Sequence, residues 1–316
     1  MKMGEKMANS LGCILDIQSI QDKKENNYKI YIYFKGCNIK CYWCELPEAV
    51  NLKKEIQYIT AKCDNCEKCI YVCPQNALLK NGNSVIFSRD LCVQCGNCVE
   101  ACDRQARIMA GTNISADEII EEISFMQKKM GKPPSSIVLT GGEPLLQDTF
   151  IKDILSACKE NNLHTTVVTS GNVAFNKYIG IVPFTDVFYY SIKSLDKKKH
   201  KKITDFSNNK VLNNIKQLNE IANDIVLSIP LLKEVNDQKE EIEEIRDFVK
   251  GLKKISAVEL QIFNTIPVEK YQALGLEKPT DSLDISMDID FSQLVAVLEE
   301  ANIKTRVTKG IARLSI

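Results

Sequence analysis

The sequence predicts an α/β fold: a partial (β/α)6 TIM-type barrel interrupted by a small α+β insert. Three observations carry that expectation. From residue 111 onward, short β-branched runs alternate with helix-period segments, the pattern of βαβ units and a parallel sheet. About six such strands can be traced, fewer than a complete eightfold barrel has. Residues 53–109 differ in character: they hold eight cysteines, no long apolar run and an Asn-Gly turn at 81–82. The barrel is therefore expected over 1–52 and 110–316, with the insert at 53–109. A chain of 316 residues, 44% of them hydrophobic, suffices for one large core plus a small module.

Residues 28–34 (YKIYIYF), β-branched and aromatic, read as the first strand and run into Gly36 and a cysteine group. Residues 115–130 read as a helix, with Ile119, Ile120, Ile123 and Met126 at helical spacing; Ser115 and Glu118 make a capping box. Residues 136–140 (SIVLT) are a buried-strand run, followed by a helix at 149–161 and a strand at 165–169. Strands at 186–192, 225–229 and 257–263 then alternate with helices at 209–221 and 238–252, and 291–301 is the last clear helix.

Lys plus Arg and Asp plus Glu number 41 each. With no net charge there is no global basic field, so neither nucleic acid nor an anionic membrane is expected as a partner. No basic-then-apolar leader is visible and no apolar run nears the ~20 residues of a membrane helix, so a soluble cytoplasmic protein is expected. Of thirteen cysteines, eleven fall between Cys37 and Cys102. In a reducing compartment such clustering points to metal ligation, not disulfides.

Cys37, Cys41 and Cys44 have the spacing Cys-x3-Cys-x2-Cys at the C-terminal end of a strand. Three thiolates hold three irons of a cubane and leave the fourth open to chelate a small molecule; a zinc site or unrelated thiols are the alternative. Cys63, Cys66, Cys69 and Cys73-Pro74 follow the bacterial ferredoxin run. Cys92, Cys95, Cys98 and Cys102 repeat it, with Asp103 where proline is usual. In two-cluster ferredoxins the fourth cysteine of each run serves the other cluster. Cys63, Cys66, Cys69 and Cys102 are thus expected on one cluster, and Cys92, Cys95, Cys98 and Cys73 on the other. Zinc sites pair two Cys-x2-Cys knuckles and do not stack three cysteines at successive x2 spacing. Gly141-Gly142-Glu143-Pro144 follows a strand directly. Glycines there let a ligand approach the backbone, and the acid can accept from an ammonium; a plain tight turn is the alternative.

Residues 36–44 (GCNIKCYWC) resemble the signature of the radical S-adenosylmethionine superfamily. In order, residues 191–202, 209–218, 229–237 and 259–274 resemble the glycyl radical enzyme activating enzymes, of which the pyruvate formate-lyase activating enzyme is the best-known member; the likeness covers nearly the whole chain. The resemblance implies three [4Fe–4S] clusters and S-adenosyl-L-methionine, two of the clusters lying in a bacterial-ferredoxin-like insert. It implies that Gly141, Gly142 and Glu143 bind the methionyl amino group and Lys193 the carboxylate, with Trp43 near the adenine. Thr169, Asn264 and Ile266 would line the ribose and adenine. It also implies departures. An acid usual before the Thr-Ser pair is Val168, the aspartate usual two before the lysine is Ser191, and an arginine usual on the fifth strand is Ser228. These changes would remove a monovalent-cation site. An N-terminal motif is replaced by residues 22–28 (DKKENNY).

The activity so implied is reductive cleavage of S-adenosylmethionine to a 5′-deoxyadenosyl radical that takes a hydrogen atom from a glycine of a partner enzyme. Cys37, Cys41, Cys44 and Lys193 would carry it. The expected partners are that glycyl radical enzyme and a low-potential donor, flavodoxin or ferredoxin; the chain itself is expected to be a monomer. Two other readings are a radical enzyme with a different peptide or small-molecule target, and an electron-transfer protein that has lost cofactor cleavage. His164 reads as structural, His200 and the lysines around it as a solvated helix face, and Cys158 as buried packing. Cys13, like Cys158, lacks cluster spacing.

Overall fold

The computed structural model describes residues 10–22, 26–233, 235–262, 267–277 and 291–309. Its elements begin with β1 (Leu11–Asp22) and β2 (Asn27–Phe34). The insert follows as β3 (Glu55–Tyr58), α1 (Lys68–Tyr71), β4 (Leu78–Asn81), β5 (Ser84–Phe87), α2 (Asn97–Glu100) and β6 (Arg107–Ala110). Then come β7 (Thr112–Ser115), α3 (Ala116–Met130), β8 (Ser136–Gly141), α4 (Asp148–Glu160), β9 (Thr165–Thr169), α5 (Asn176–Ile179) and β10 (Val187–Ser191). The chain continues through α6 (Lys197–Thr204), α7 (Asn209–Ile221), β11 (Asp224–Leu231), α8 (Lys239–Lys250) and β12 (Ile255–Ile262). It closes with α9 (Val268–Leu274), α10 (Phe291–Glu299) and β13 (Thr305–Lys309).

One nine-stranded sheet organises the barrel part, in the order β13-β12-β11-β10-β9-β8-β2-β1-β7. From β2 through β13 every pairing is parallel. The parallel strands are laid down in chain order, so each crossover steps the same way. Right-handed crossovers then put the connecting helices on one face and leave the other open. Among the described residues the sheet does not close; β13 and β7 are its edges.

Among the described residues there are seven parallel strands where six were expected, because β13 joins the edge. Its sequence TRVTK is short and partly exposed, so no apolar run announces it. β1, antiparallel to β2 and β7, was also not foreseen. It interleaves polar residues with apolar ones and shifts register between Ile14 and Asp16, which blurs its period.

Alternation sorts the strands. Ile30, Ile32, Phe34, Leu139, Val167, Phe188, Leu227 and Leu260 face the helices and form the main core. Helix stripes meet them: Ile119 and Ile123 of α3, Ile151 and Ile154 of α4, Ile215 and Leu218 of α7, Ile242 and Ile245 of α8. Helix α3 starts on the expected capping box, Ser115 accepting from the Glu118 N–H while the Glu118 carboxylate accepts from the Ser115 N–H at 2.8 Å. On the opposite sheet face Ser191, Ser228 and Glu259 stand in one cross-strand row. The two family departures at 191 and 228 are thus direct neighbours, small hydroxyl opposite small hydroxyl.

The insert is bounded by β3 and β6, paired antiparallel from Glu55 opposite Ala110 to Tyr58 opposite Arg107. Within it β4 and β5 form a hairpin, and Ile56, Leu78, Val85 and Cys98 make a separate small core. It rests on α9, where the Arg89 Nη2 donates to the Ala273 carbonyl at 2.6 Å.

Candidate functional site

The loop carrying Cys37, Cys41 and Cys44 leaves β2 at the open end of the parallel strands, and its backbone is pinned from several elements. The Gly36 and Cys37 N–H groups donate to the Ala49 and Val50 carbonyls at 2.7 and 2.9 Å. Those of Lys40 and Tyr42 donate to Thr204 and Ile203 at the end of α6, at 3.3 and 3.2 Å. The Tyr271 hydroxyl of α9 donates to the Cys44 carbonyl at 3.0 Å. The Asn38 amide donates to the Asn172 carbonyl at 2.6 Å. A loop fixed by so many elements holds the backbone of its three cysteines in place.

The Gly-Gly-Glu turn is stapled to the same loop. The Glu143 N–H donates to the Gly36 carbonyl at 2.6 Å, and a Cβ on Gly142 would lie 2.1 Å from that oxygen. Gly141 has φ +101° and a Cβ there would lie 2.6 Å from backbone atoms of Phe34. The glycines therefore serve close approach of chain to chain.

The Glu143 side chain is fully buried. It accepts from Thr169 Oγ1 at 3.0 Å, from the Ser170 N–H and Oγ at 2.8 and 2.6 Å, and from the Leu145 N–H at 3.4 Å. Burial raises its carboxyl above the ordinary range, and these donors pull it back. Four protein donors nearly fill the oxygens' capacity, so the carboxylate braces β9 against the turn.

Lys193, just beyond β10, is 6% exposed and donates to the Ser191 carbonyl at 3.1 Å. Burial lowers its ammonium, opposed by the pull of Cys41, Cys37 and Glu143. The structure thus gathers Cys37, Cys41, Glu143 and Lys193 within electrostatic reach of one another. Trp43 is buried against Ile203 and Leu232, with Cys41 and Tyr42 beside it. Asn264 and Ile266 lie outside the described residues.

Burial pushes the Cys37 thiol up to about 12, with Cys41 adding to the effect, and raises Cys44 and Cys41 as well. Such thiols keep their protons at neutral pH until a cation takes their place.

Sequence reading missed two supports. Asn236 donates to the Lys193 and Pro230 carbonyls at 2.8 and 2.6 Å and so fixes the lysine's backbone. His200, expected on a solvated face, is fully buried instead. Its flanking lysines are exposed, and this contrast on one short helix hides it from a composition reading. Its Nδ1 is 2.8 Å from the Phe206 carbonyl, which only accepts, so Nδ1 carries the proton. Burial, together with the Lys193 charge, lowers its pKa. Cys158 is fully buried, and His164 Nδ1 lies 3.1 Å from the Ser136 hydroxyl.

In the insert, one cavity is walled by Cys63, Cys66, Cys69 and Cys102, with Tyr58 and Arg107. A second is walled by Cys73, Cys92, Cys95 and Cys98, with Ile56 and Phe87. Each cavity thus takes three cysteines of one run and the fourth of the other. Among the described residues, no three His, Cys, Asp or Glu side chains converge as tightly as one metal ion requires. The cysteines surround a space, not a point.

The family model of the radical SAM superfamily matches residues 31–249. The chain is 31% identical over 279 residues to the trans-4-hydroxy-L-proline dehydratase activating enzyme of Clostridioides difficile, covering 87% of this chain and 92% of that one. It is 32% identical over 272 residues to the (2S)-3-sulfopropanediol dehydratase activating enzyme of Klebsiella oxytoca, covering 84% and 86%. Among solved structures, Streptococcus suis SuiB bound to precursor peptide SuiA superposes with a TM-score of 0.52 at 16% identity, covering 92% of this chain and 51% of that one, a likeness of fold alone. The chain belongs to the radical SAM superfamily, within the activating enzymes of glycyl radical enzymes.

Proposed function

We propose that this chain activates one glycyl radical enzyme and does so with three [4Fe–4S] clusters, one in the barrel and two in the insert. The observation that carries the reading is the pinned Cys37–Cys41–Cys44 loop beside Glu143 and buried Lys193, in a chain of this family. When bound, the barrel cluster and S-adenosylmethionine supply the one-electron cleavage whose radical product takes hydrogen from the partner's glycine.

The residues fit that task. Cys37, Cys41 and Cys44 hold three irons and leave the fourth open. Lys193 offers its ammonium to a carboxylate. Glu143, locked by Thr169 and Ser170, fixes the turn that faces the cysteine loop. Trp43, Ile203 and Leu232 give an apolar wall that keeps water from the site. Residues 53–109 are read as a ferredoxin-like module. Each of its two cavities is walled by four cysteines of a crossed set, the number of thiolates a cubane takes. An external flavodoxin or ferredoxin supplies electrons, and the chain works as a cytoplasmic monomer.

The test is anaerobic reconstitution with dithionite and S-adenosylmethionine, wild type beside Cys41→Ala. Product 5′-deoxyadenosine from the wild type alone, and a glycyl radical doublet on adding the partner, are expected. No product from a wild type carrying its full iron and sulfide, with the partner present, would sink the reading in favour of an electron-transfer protein.

A further inference from the structure

Arg107 opens β6 and is 2% exposed, yet its Nη1 and Nη2 have no hydrogen-bond partner among the described residues. Its Cζ lies 4.2 Å from the Tyr58 ring centre and 5.0 Å from that of Phe87. Rings attract a cation but leave most of its donors unmet. Burying a guanidinium without an anion is strongly unfavourable. A negative group beside it would offset that cost.

The cavity it lines is the one walled by Cys63, Cys66, Cys69 and Cys102. The other charges at that wall are paired among themselves or at the surface: Asp64 with Arg104 at 2.9 Å, Glu67 with Lys80. The second cavity has no charged side chain in its wall. Arg89 lies on that side, 4.8 Å from the Phe87 ring, with its donors on the Ile56 and Ala273 carbonyls, and its charge reaches Cys92; the Arg107 charge reaches Cys98. Arg107 is thus the one cation in either cavity wall with no carboxylate partner among the described residues.

We infer that Arg107 is the electrostatic partner of a cluster on the Cys63 set and raises its reduction potential; this rests on the three-cluster reading above. Reduction adds one electron from a low-potential one-electron donor, with no bond made or broken. The added negative charge is stabilised by a fixed cation in a low-dielectric site, so the reduction potential rises. Arginine suits the place because it keeps its charge through the working pH range.

The experiment is a dithionite titration followed by electron paramagnetic resonance on reconstituted full-length wild type, Arg107→Gln and Arg107→Lys. In Arg107→Gln the reduced-to-oxidised ratio of one auxiliary cluster at a fixed potential should fall about tenfold, about 59 mV for a one-electron couple. Arg107→Lys should restore most of it, and the barrel cluster should not move. If Arg107→Gln loses one cluster's iron while Arg107→Lys keeps it, the charge is again what the cluster needs. Unchanged auxiliary potentials at full iron content overturn the inference. Iron for only one cluster in the wild type removes the three-cluster reading itself, so the two failures separate in the iron count.

Discussion

At position 142 a side chain has nowhere to go. The atoms in its way belong to the Gly36 backbone, 2.1 Å from where a Cβ would sit, and backbone cannot swing aside. Gly142→Ala should therefore push the turn off the cysteine loop, at about 1–3 kcal/mol or more of stability. A thermal melt alongside 5′-deoxyadenosine formation checks it; an alanine variant with both unchanged would mean the loop is not held as described. His200 gives a pH dependence. Its folded pKa is lowered by burial and then by Lys193, so the unfolded chain takes up the proton first as pH falls. Stability is fully present above the unfolded value of 6.5 and is lost as pH falls below it toward the folded value. His200→Asn keeps a donor for the Phe206 carbonyl and removes the titration. Its melting temperature should change less between pH 7 and pH 5.5 than that of the wild type; equal slopes would refute the assignment.

Between elements, one buried ion pair ties α9 to the turn that follows the first cysteine group. Lys270 Nζ lies 2.6 Å from Glu48, both nearly buried, while Lys35 Nζ donates to the Glu48 carbonyl at 2.5 Å and lies 3.3 Å from Glu55. Removing one member strands a buried carboxylate, so Lys270→Met should cost about 3–5 kcal/mol. Removing both is far milder: Lys270→Met with Glu48→Gln should regain much of that loss in denaturant melts. A double variant as weak as the single would show that packing of α9, not charge, is what matters. Since α9 also supplies the Tyr271 hydroxyl to the Cys44 carbonyl, the single variant should hold less iron at the barrel site.

For the whole molecule, the pairing of β3 with β6 offers a place to excise the segment between them. Tyr58 stands opposite Arg107, so the two strand ends are already side by side. A tight hairpin turn in place of 59–106 should leave a folded barrel that still yields 5′-deoxyadenosine, and the proposed three clusters would then take iron from about twelve to about four per chain. A variant that folds but makes no product would assign the module a part in electron delivery.

Much of this was legible in the chain because the signals are local. Cysteine spacing, the capping box of α3, and strands such as SIVLT are set by neighbours a few residues apart, and these appear within one or two residues of their expected bounds. The Gly-Gly-Glu turn was legible as a motif, but its partners were not. That Glu143 meets Thr169 and Ser170, and Gly142 meets Gly36, follows only once parallel strands lie side by side. The same holds for β13 and for β1: an edge or interleaved strand has no strong period, and only the neighbour it pairs with makes it a strand. His200 among exposed lysines read as part of a solvated helix face, and nothing in the spacing around Arg107 marked it among the cysteines. Sequence sets which residues are charged; only the fold decides which of those charges leave water, and it is desolvation that gives them consequence.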